Sequence, residues 1–233
     1  MSYLTLLFDL DGTLMDFEAA QYDAFFKSFG SFGISSGQDM YLRYDALNRN
    51  LWNMLERGEI TRVQLFEQRF VSFLQNEGLV GIDPVELQKR YFKYLSESCV
   101  LMEGAIELLQ SMYGRFVLCI ITNGVASTQR KRLTDSGIER FFDHLVISEE
   151  IGFEKPDPRY FEAVKNICGI EDLSSALVIG DSPSADIFGG GSFGFDTCWY
   201  NPSNREFSGK LPPKYTISTL SGLCSLPGIN ERR

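Results

Sequence analysis

The 233-residue sequence predicts an α/β protein: a Rossmann-like, doubly wound parallel sheet with a block of helices inserted after its first strand. Three observations carry that expectation. Short apolar runs recur, each ending in polar or glycine-rich residues; helix-like stretches separate the later runs; and the long segment between the first two runs carries helical spacing only. Strands alternating with helices bury both faces of a parallel sheet, and such sheets gather their chemistry at the carboxyl ends of the strands.

The first run, "LTLLFDLDG" (4–12), reads as a strand ending in Asp9 and Asp11. Strand side chains alternate, so the two carboxylates are expected on one side, where they repel unless something positive lies between them. Residues 17–99 follow with helical periodicity, as in "YLRYDALNRNLWNMLERG" and "VQLFEQRFVSFLQNEG". Gly58 and Gly78 read as helix ends, and Asp83-Pro84 as an N-cap followed by proline at the first helical position. About four helices are expected there, which makes residues 17–99 a helical domain inserted into an α/β core of residues 1–16 and 100–233. The core resumes with strands in "FVLCIITNG" (116–124), "HLVISEE" (144–150), "ALVIGDS" (176–182) and "DTCWYN" (196–201), and helices over 126–137, 157–169 and 184–193. Asp9, Asp11, Thr122, Asn123, Asp181 and Ser182 then all fall at carboxyl strand ends.

Composition narrows the function. A net charge of −9 argues against a nucleic-acid polymer or an anionic membrane as partner, though not against a small anionic substrate. Five scattered cysteines without a CxxC pair, and no basic leader before an apolar run, predict reduced thiols in a cytoplasmic protein. The apolar runs are too short to span a bilayer. The single histidine, His144, leaves no material for a histidine triad or a multi-histidine zinc site, so acid–base work falls to carboxylates.

A magnesium ion would resolve the repulsion between Asp9 and Asp11, because Mg2+ takes hard oxygen ligands and commonly binds substrate phosphate as well. With a phosphate present the two acids can divide the work. Asp9 can attack phosphorus to give an aspartyl-phosphate, and Asp11 can protonate the leaving alkoxide and then deprotonate the attacking water. Gly12 permits a tight turn beside the ligand.

Four motifs in order resemble those of the haloacid dehalogenase superfamily: "DLDGT" (9–13), "ITNG" (121–124), "EEIGFEKPDPRYF" (149–161) and "GDSPSAD" (180–186). The resemblance spans residues 1–16 and 100–205 and implies an aspartate-nucleophile phosphohydrolase with Mg2+ as cofactor. It implies that Asp9, Asp11, Thr122 and Lys155 are catalytic, and that the phosphoryl group is also bound at Leu10 and by backbone N–H groups of Asn123 and Gly124. It implies a metal site of Asp9, Asp11 and Asp181 with the Leu10 carbonyl, backed by Ser182, with Asp186 either behind the metal ligands or holding Lys155. Dehalogenases of the superfamily lack the second aspartate, so Asp11 points to phosphoryl transfer. The stretch "GGGSFG" (189–194) fits a dinucleotide fingerprint, but it closes a helix instead of opening one and is expected to serve close packing.

Residues 48–70 and "GFDTCWYNP" (194–202) resemble, within that superfamily, the YjjG-like pyrimidine 5′-nucleotidases, which carry a helical cap of the C1 type. The implied substrate is a nucleoside 5′-monophosphate, with Asn48, Trp52 and Arg69 as candidates for specificity. Trp52 shares helical spacing with Leu47, Leu51 and Leu55 and reads first as cap core. Two departures, "LMEGAIELL" at the return to the core and "GGGSFGFD" after the fourth motif, bear on the subfamily and not on the chemistry. The alternatives are a sugar-phosphate or phosphoglycolate phosphatase, a β-phosphoglucomutase-like enzyme, and a non-catalytic phosphate-binding regulatory protein. The sequence leaves the oligomeric state open.

Overall fold

The computed structural model describes residues 2–230; Met1 and residues 231–233 of the expected core lie outside the described residues. The chain divides into two compact units, Met1–Phe17 with Cys99–Arg233, and Glu18–Ser98.

The first unit is built on a six-stranded sheet in the order β3-β2-β1-β4-β5-β6. Its strands are β1 (Thr5–Phe8), β2 (Val117–Thr122), β3 (His144–Ile147), β4 (Ala176–Gly180), β5 (Asp196–Tyr200) and β6 (Tyr215–Ile217). Every neighbouring pair is parallel. Alternate residues feed two cores: Leu6, Phe8, Leu118, Ile120, Leu177 and Ile179 on one face, and Leu7, Cys119, Ile121, Ala176 and Val178 on the other. Burial on both faces is why these strands read as continuous apolar runs instead of alternating ones.

Register sets up the chemistry. Phe8 of the central strand lies opposite Ile120 on one side and Ile179 on the other. Asp9, Thr122 and Asp181, one or two residues further along, therefore emerge at one edge of the sheet. The β1 ladder stops at Phe8, short of the expected strand end; the chain turns at Gly12 (φ 84°), so strand alternation does not govern where Asp11 points. Strand β6 was not anticipated. It is three residues long and follows "KLPPK", whose prolines cannot join a ladder.

Helices α5 (Ala105–Met112), α6 (Ala126–Ser136), α7 (Ser148–Ile151), α8 (Pro158–Ile167) and α9 (Gly189–Phe193) connect the strands. The α9 glycines serve close packing. A Cβ at Gly190 would lie 2.9 Å from Val178 Cγ2, and one at Gly189 would lie 2.7 Å from the Phe161 ring.

The second unit is all-helical, with α1 (Phe17–Gly30), α2 (Gln38–Glu56), α3 (Arg62–Asn76) and α4 (Pro84–Ser96). Asp83 caps α4, with proline at its first position. Phe25, Phe29, Tyr44, Phe70, Phe73 and Tyr91 interlock as its aromatic core, with Tyr44 stacked on Phe70 at 5.5 Å. Among the described residues no helix is long and apolar enough to cross a membrane.

Candidate active site at the carboxyl edge of the sheet

Lys155 anchors the site. It is 2% exposed and spends all three ammonium protons inside the protein, on Asp9 Oδ1 (2.7 Å), Asp186 Oδ1 (2.7 Å) and the Ile121 carbonyl (2.9 Å). Burial alone would push this ammonium down, but the Asp186 and Asp9 carboxylates beside it hold it above its ordinary range. The loop bearing it is fixed by Asn123, whose Oδ1 accepts from the Lys155 backbone N–H and whose Nδ2 donates to the Lys155 carbonyl, both at 2.9 Å. The sequence reading gave Asn123 only a backbone role.

Asp9 is buried, and that burial drives its carboxyl well above the carboxylate range; Lys155 opposes the shift, while Asp186 and Asp181 add to it. Asp186 stays in place because its second oxygen accepts from the Ser182 backbone N–H at 3.1 Å, and the Ser182 hydroxyl caps the following turn through Ala185 N–H. Gly180 leaves room for this, since a Cβ there would fall 2.2 Å from Asp186 Oδ2. Asp181 is pushed up to about 7, by burial first and by Asp186 next, with Arg205 and Lys155 pulling the other way. Its backbone carbonyl accepts from Trp199 Nε1 (3.0 Å) and Arg205 Nη2 (3.3 Å).

Asp9, Asp181 and Asp186 offer oxygens that all lie within 4.8 Å of one another. Three hard carboxylates around a single lysine leave an excess of negative charge, and this donor set fits Mg2+. The Asp11 carboxylate is not in that cluster; it is held by Arg132, through Nη1, and by Gln129, whose Nε2 lies 2.6 Å from Oδ2. The repulsion between Asp9 and Asp11 is thus met by separate cations, Lys155 and Arg132. The Leu10 carbonyl, expected as a metal ligand, already accepts from the N–H groups of Leu14 (3.0 Å) and Met15 (2.9 Å), which occupies both of its lone pairs.

Thr122 is buried at the end of β2, and its Oγ1 accepts from Gly124 N–H at 3.0 Å and from Gln129 Nε2 at 2.9 Å. Gln129 and Arg132 escaped the sequence reading. Their spacing of three on α6 puts them on one helix face, but "ASTQRKRLTDS" is polar all round, so no apolar stripe marks which face turns inward.

In the helical unit, buried Asn48 donates to Gln21 Oε1 (2.7 Å) and accepts from Arg69 Nη1 (3.3 Å). Arg69 is caged by Phe66, Phe70, Tyr91 and Phe92 at 4.7–5.4 Å. Trp52 packs with Leu51, Leu55 and Leu65.

Fold and carboxylate edge together define a class: a Rossmann-like α/β protein with aspartates gathered at the carboxyl ends of its parallel strands. The family model for haloacid dehalogenase-like hydrolases matches residues 3–194, and the chain belongs to that family. It is similar to the HAD-hydrolase YfnB of Bacillus subtilis, at 39% identity over 98% of this chain and 97% of that one. It is also similar to two pyrimidine 5′-nucleotidases. YjjG of Escherichia coli is 33% identical over 96% of this chain and 97% of its own, and PynA of Streptococcus pneumoniae is 36% identical over 96% and 94%. A magnesium-bound crystal structure of YfnB superposes with a TM-score of 0.91 at 38% identity, covering 96% of this chain and 98% of that one.

Proposed function

We propose that this enzyme is a Mg2+-dependent phosphomonoesterase that hydrolyses nucleoside 5′-monophosphates, with pyrimidine nucleotides preferred, through an aspartyl-phosphate. The observation that carries the reading is the pair of aspartates with separate environments. Asp9 is buried on Lys155 inside the carboxylate cluster, while Asp11 stands apart from that cluster on Arg132 and Gln129. One carboxylate is thereby suited to attack and the other to move protons.

Asp9 forms a bond to phosphorus while the bond from phosphorus to the ester oxygen breaks, and the leaving oxygen takes the proton of Asp11. Water then returns a proton to Asp11 as its oxygen bonds to phosphorus and the bond from phosphorus to the Asp9 oxygen breaks, which frees the carboxylate. Thr122, the N–H groups of Asn123 and Gly124, and Lys155 bind the phosphoryl oxygens. Asp9 and Asp181 would hold a Mg2+ ion, which would supply charge neutralisation for the phosphoryl group.

The nucleotide preference rests on the near full-length similarity to YjjG and PynA, and the helical unit, with Asn48 and Arg69 in its interior, is read as the cap that selects the substrate. A phosphate-release panel of UMP, dUMP, dTMP, CMP, AMP, GMP, glucose 6-phosphate, glucose 1-phosphate and phosphoglycolate, with and without Mg2+, tests it. Metal-dependent release concentrated on pyrimidine nucleotides is expected. Preference for sugar phosphates or phosphoglycolate would keep the chemistry and overturn the substrate. Asp9→Asn is expected to lower turnover at least about 10³-fold with its thermal midpoint close to wild type; robust release by a variant freed of contaminating phosphatase would remove Asp9 as nucleophile.

A further inference from the structure

We infer that Gln129 and Arg132 are positioning residues for the acid–base step: they hold the Asp11 carboxylate in one orientation and fix the direction in which the Thr122 hydroxyl donates. The inference rests on the phosphomonoesterase reading above and extends it to residues outside the four motifs.

The two side chains are buried at 0% and 1% exposure, unusual depths for arginine and glutamine. Arg132 Nη1 donates to Asp11 Oδ1 and, at 3.2 Å, to Gln129 Oε1. Gln129 Nε2 donates to Asp11 Oδ2 (2.6 Å) and to Thr122 Oγ1 (2.9 Å). The amide can face only one way. A guanidinium only donates, so the amide oxygen must meet Arg132, and this turns the NH2 towards Asp11 and Thr122. With both Asp11 oxygens gripped from α6, the side chain of Asp11 has little rotational freedom left.

The same network sets the polarity of Thr122. A hydroxyl oxygen has two acceptor lone pairs, and those of Thr122 are taken by Gln129 Nε2 and Gly124 N–H. Its one proton is therefore left to be donated, the polarity that a phosphoryl oxygen requires. The loop is shaped around this arrangement: a Cβ on Gly124 would lie 2.2 Å from Gln129 Nε2, so glycine at 124 makes the seat for the amide. Gln129 thus ties the group that moves protons to a group that holds the phosphoryl oxygen.

The test separates proton transfer from general damage through the leaving group. An alkoxide must be protonated as it departs, whereas nitrophenolate departs without a proton. kcat/KM covers only the steps up to the aspartyl-phosphate, so it isolates the protonation. For Gln129→Leu, kcat/KM is expected to fall about 10²-fold on the best alkyl phosphate of the panel, and no more than about tenfold on p-nitrophenyl phosphate. Arg132→Met should show the same split, and Arg132→Lys should recover part of it. Thermal denaturation checks folding; if Arg132→Met does not fold, the Gln129→Leu split decides alone. Equal losses on the two substrates in an active background, or no loss on the alkyl phosphate, would overturn the positioning role and leave the phosphomonoesterase reading intact. A wild-type enzyme that releases phosphate from neither substrate with Mg2+ would overturn both.

Discussion

Gly12 meets two demands at once. Its φ of 84° is open to side-chain-bearing residues only under strain, and a Cβ there would stand 2.9 Å from Asp181 Cγ. Gly137 has a similar φ of 72° with nothing within 4 Å, so it isolates the backbone cost. Gly137→Ala is expected to destabilise by about 1–2 kcal/mol in urea unfolding with activity retained. Gly12→Ala should lose about as much or more and should also weaken Mg2+ binding, because Asp181 must move; equal Mg2+ affinity in the two variants would refute the crowding argument. The residue scale also marks where sequence reading ran out. Asp9, Thr122 and Asp181 could be placed at the sheet edge from the sequence because each closes or directly follows an apolar run, whereas Lys155 was indicated only by its motif. The orientation of Asp11 was not legible, since it depends on Arg132 and Gln129, which lie 121 and 118 residues away in the chain. The Leu10 carbonyl is already engaged for a local reason: the turn after β1 folds the N–H groups of Leu14 and Met15 back onto it.

Helix α3 shows how local chemistry sets an element. Thr61 Oγ1 accepts from Gln64 N–H at 3.2 Å, and Gln64 Oε1 accepts from Thr61 N–H at 2.8 Å, a reciprocal capping box. Behind it, Leu65, Arg69, Phe70, Phe73 and Leu74 form the buried stripe. Thr61→Ala should cost about 1 kcal/mol and speed amide exchange in the first turn of α3, without changing exchange in β1, β2 and β4; unaltered exchange at Gln64 would argue against the cap. Elements of this kind were largely readable. The four inserted helices and five of the six strands follow from periodicity and from punctuation by glycine and proline. Strand β6 was hidden because three residues give no alternation to detect, and it joins the sheet through its pairing with β5. The end of β1 was overextended for a related reason: "DLDG" continues the alternation, but the ladder ends at Phe8 and the turn takes over.

At the scale of the whole molecule, charge links stability to the metal. The chain carries a net charge of −9, and its site holds Asp9, Asp181 and Asp186 close together around Lys155. The Asp181 carboxyl is raised from its ordinary 3.8 to about 7, by burial and then by Asp186. The folded protein therefore binds this proton more tightly than the unfolded chain does. The resulting stabilisation is complete below about pH 4 and is lost as pH rises through about 7. Mg2+ acts with the opposite sign, since it competes with the proton and binds the ionised carboxylate. Without metal, the thermal midpoint of wild type is expected to fall between pH 5 and pH 8 by about 3 °C or more beyond the fall in Asp181→Asn. Excess Mg2+ should raise the wild-type midpoint more at pH 8 than at pH 5, and should do little to the variant at either pH. Scanning calorimetry of both proteins in matched buffers with and without Mg2+ provides the comparison. The same pH slope and the same Mg2+ gain in Asp181→Asn would assign both effects to another group. A slope that vanishes in the variant together with the Mg2+ gain would place proton and metal on the same carboxylate, so that the crowding which costs the unliganded protein stability is also what makes the site take up a cation near neutral pH.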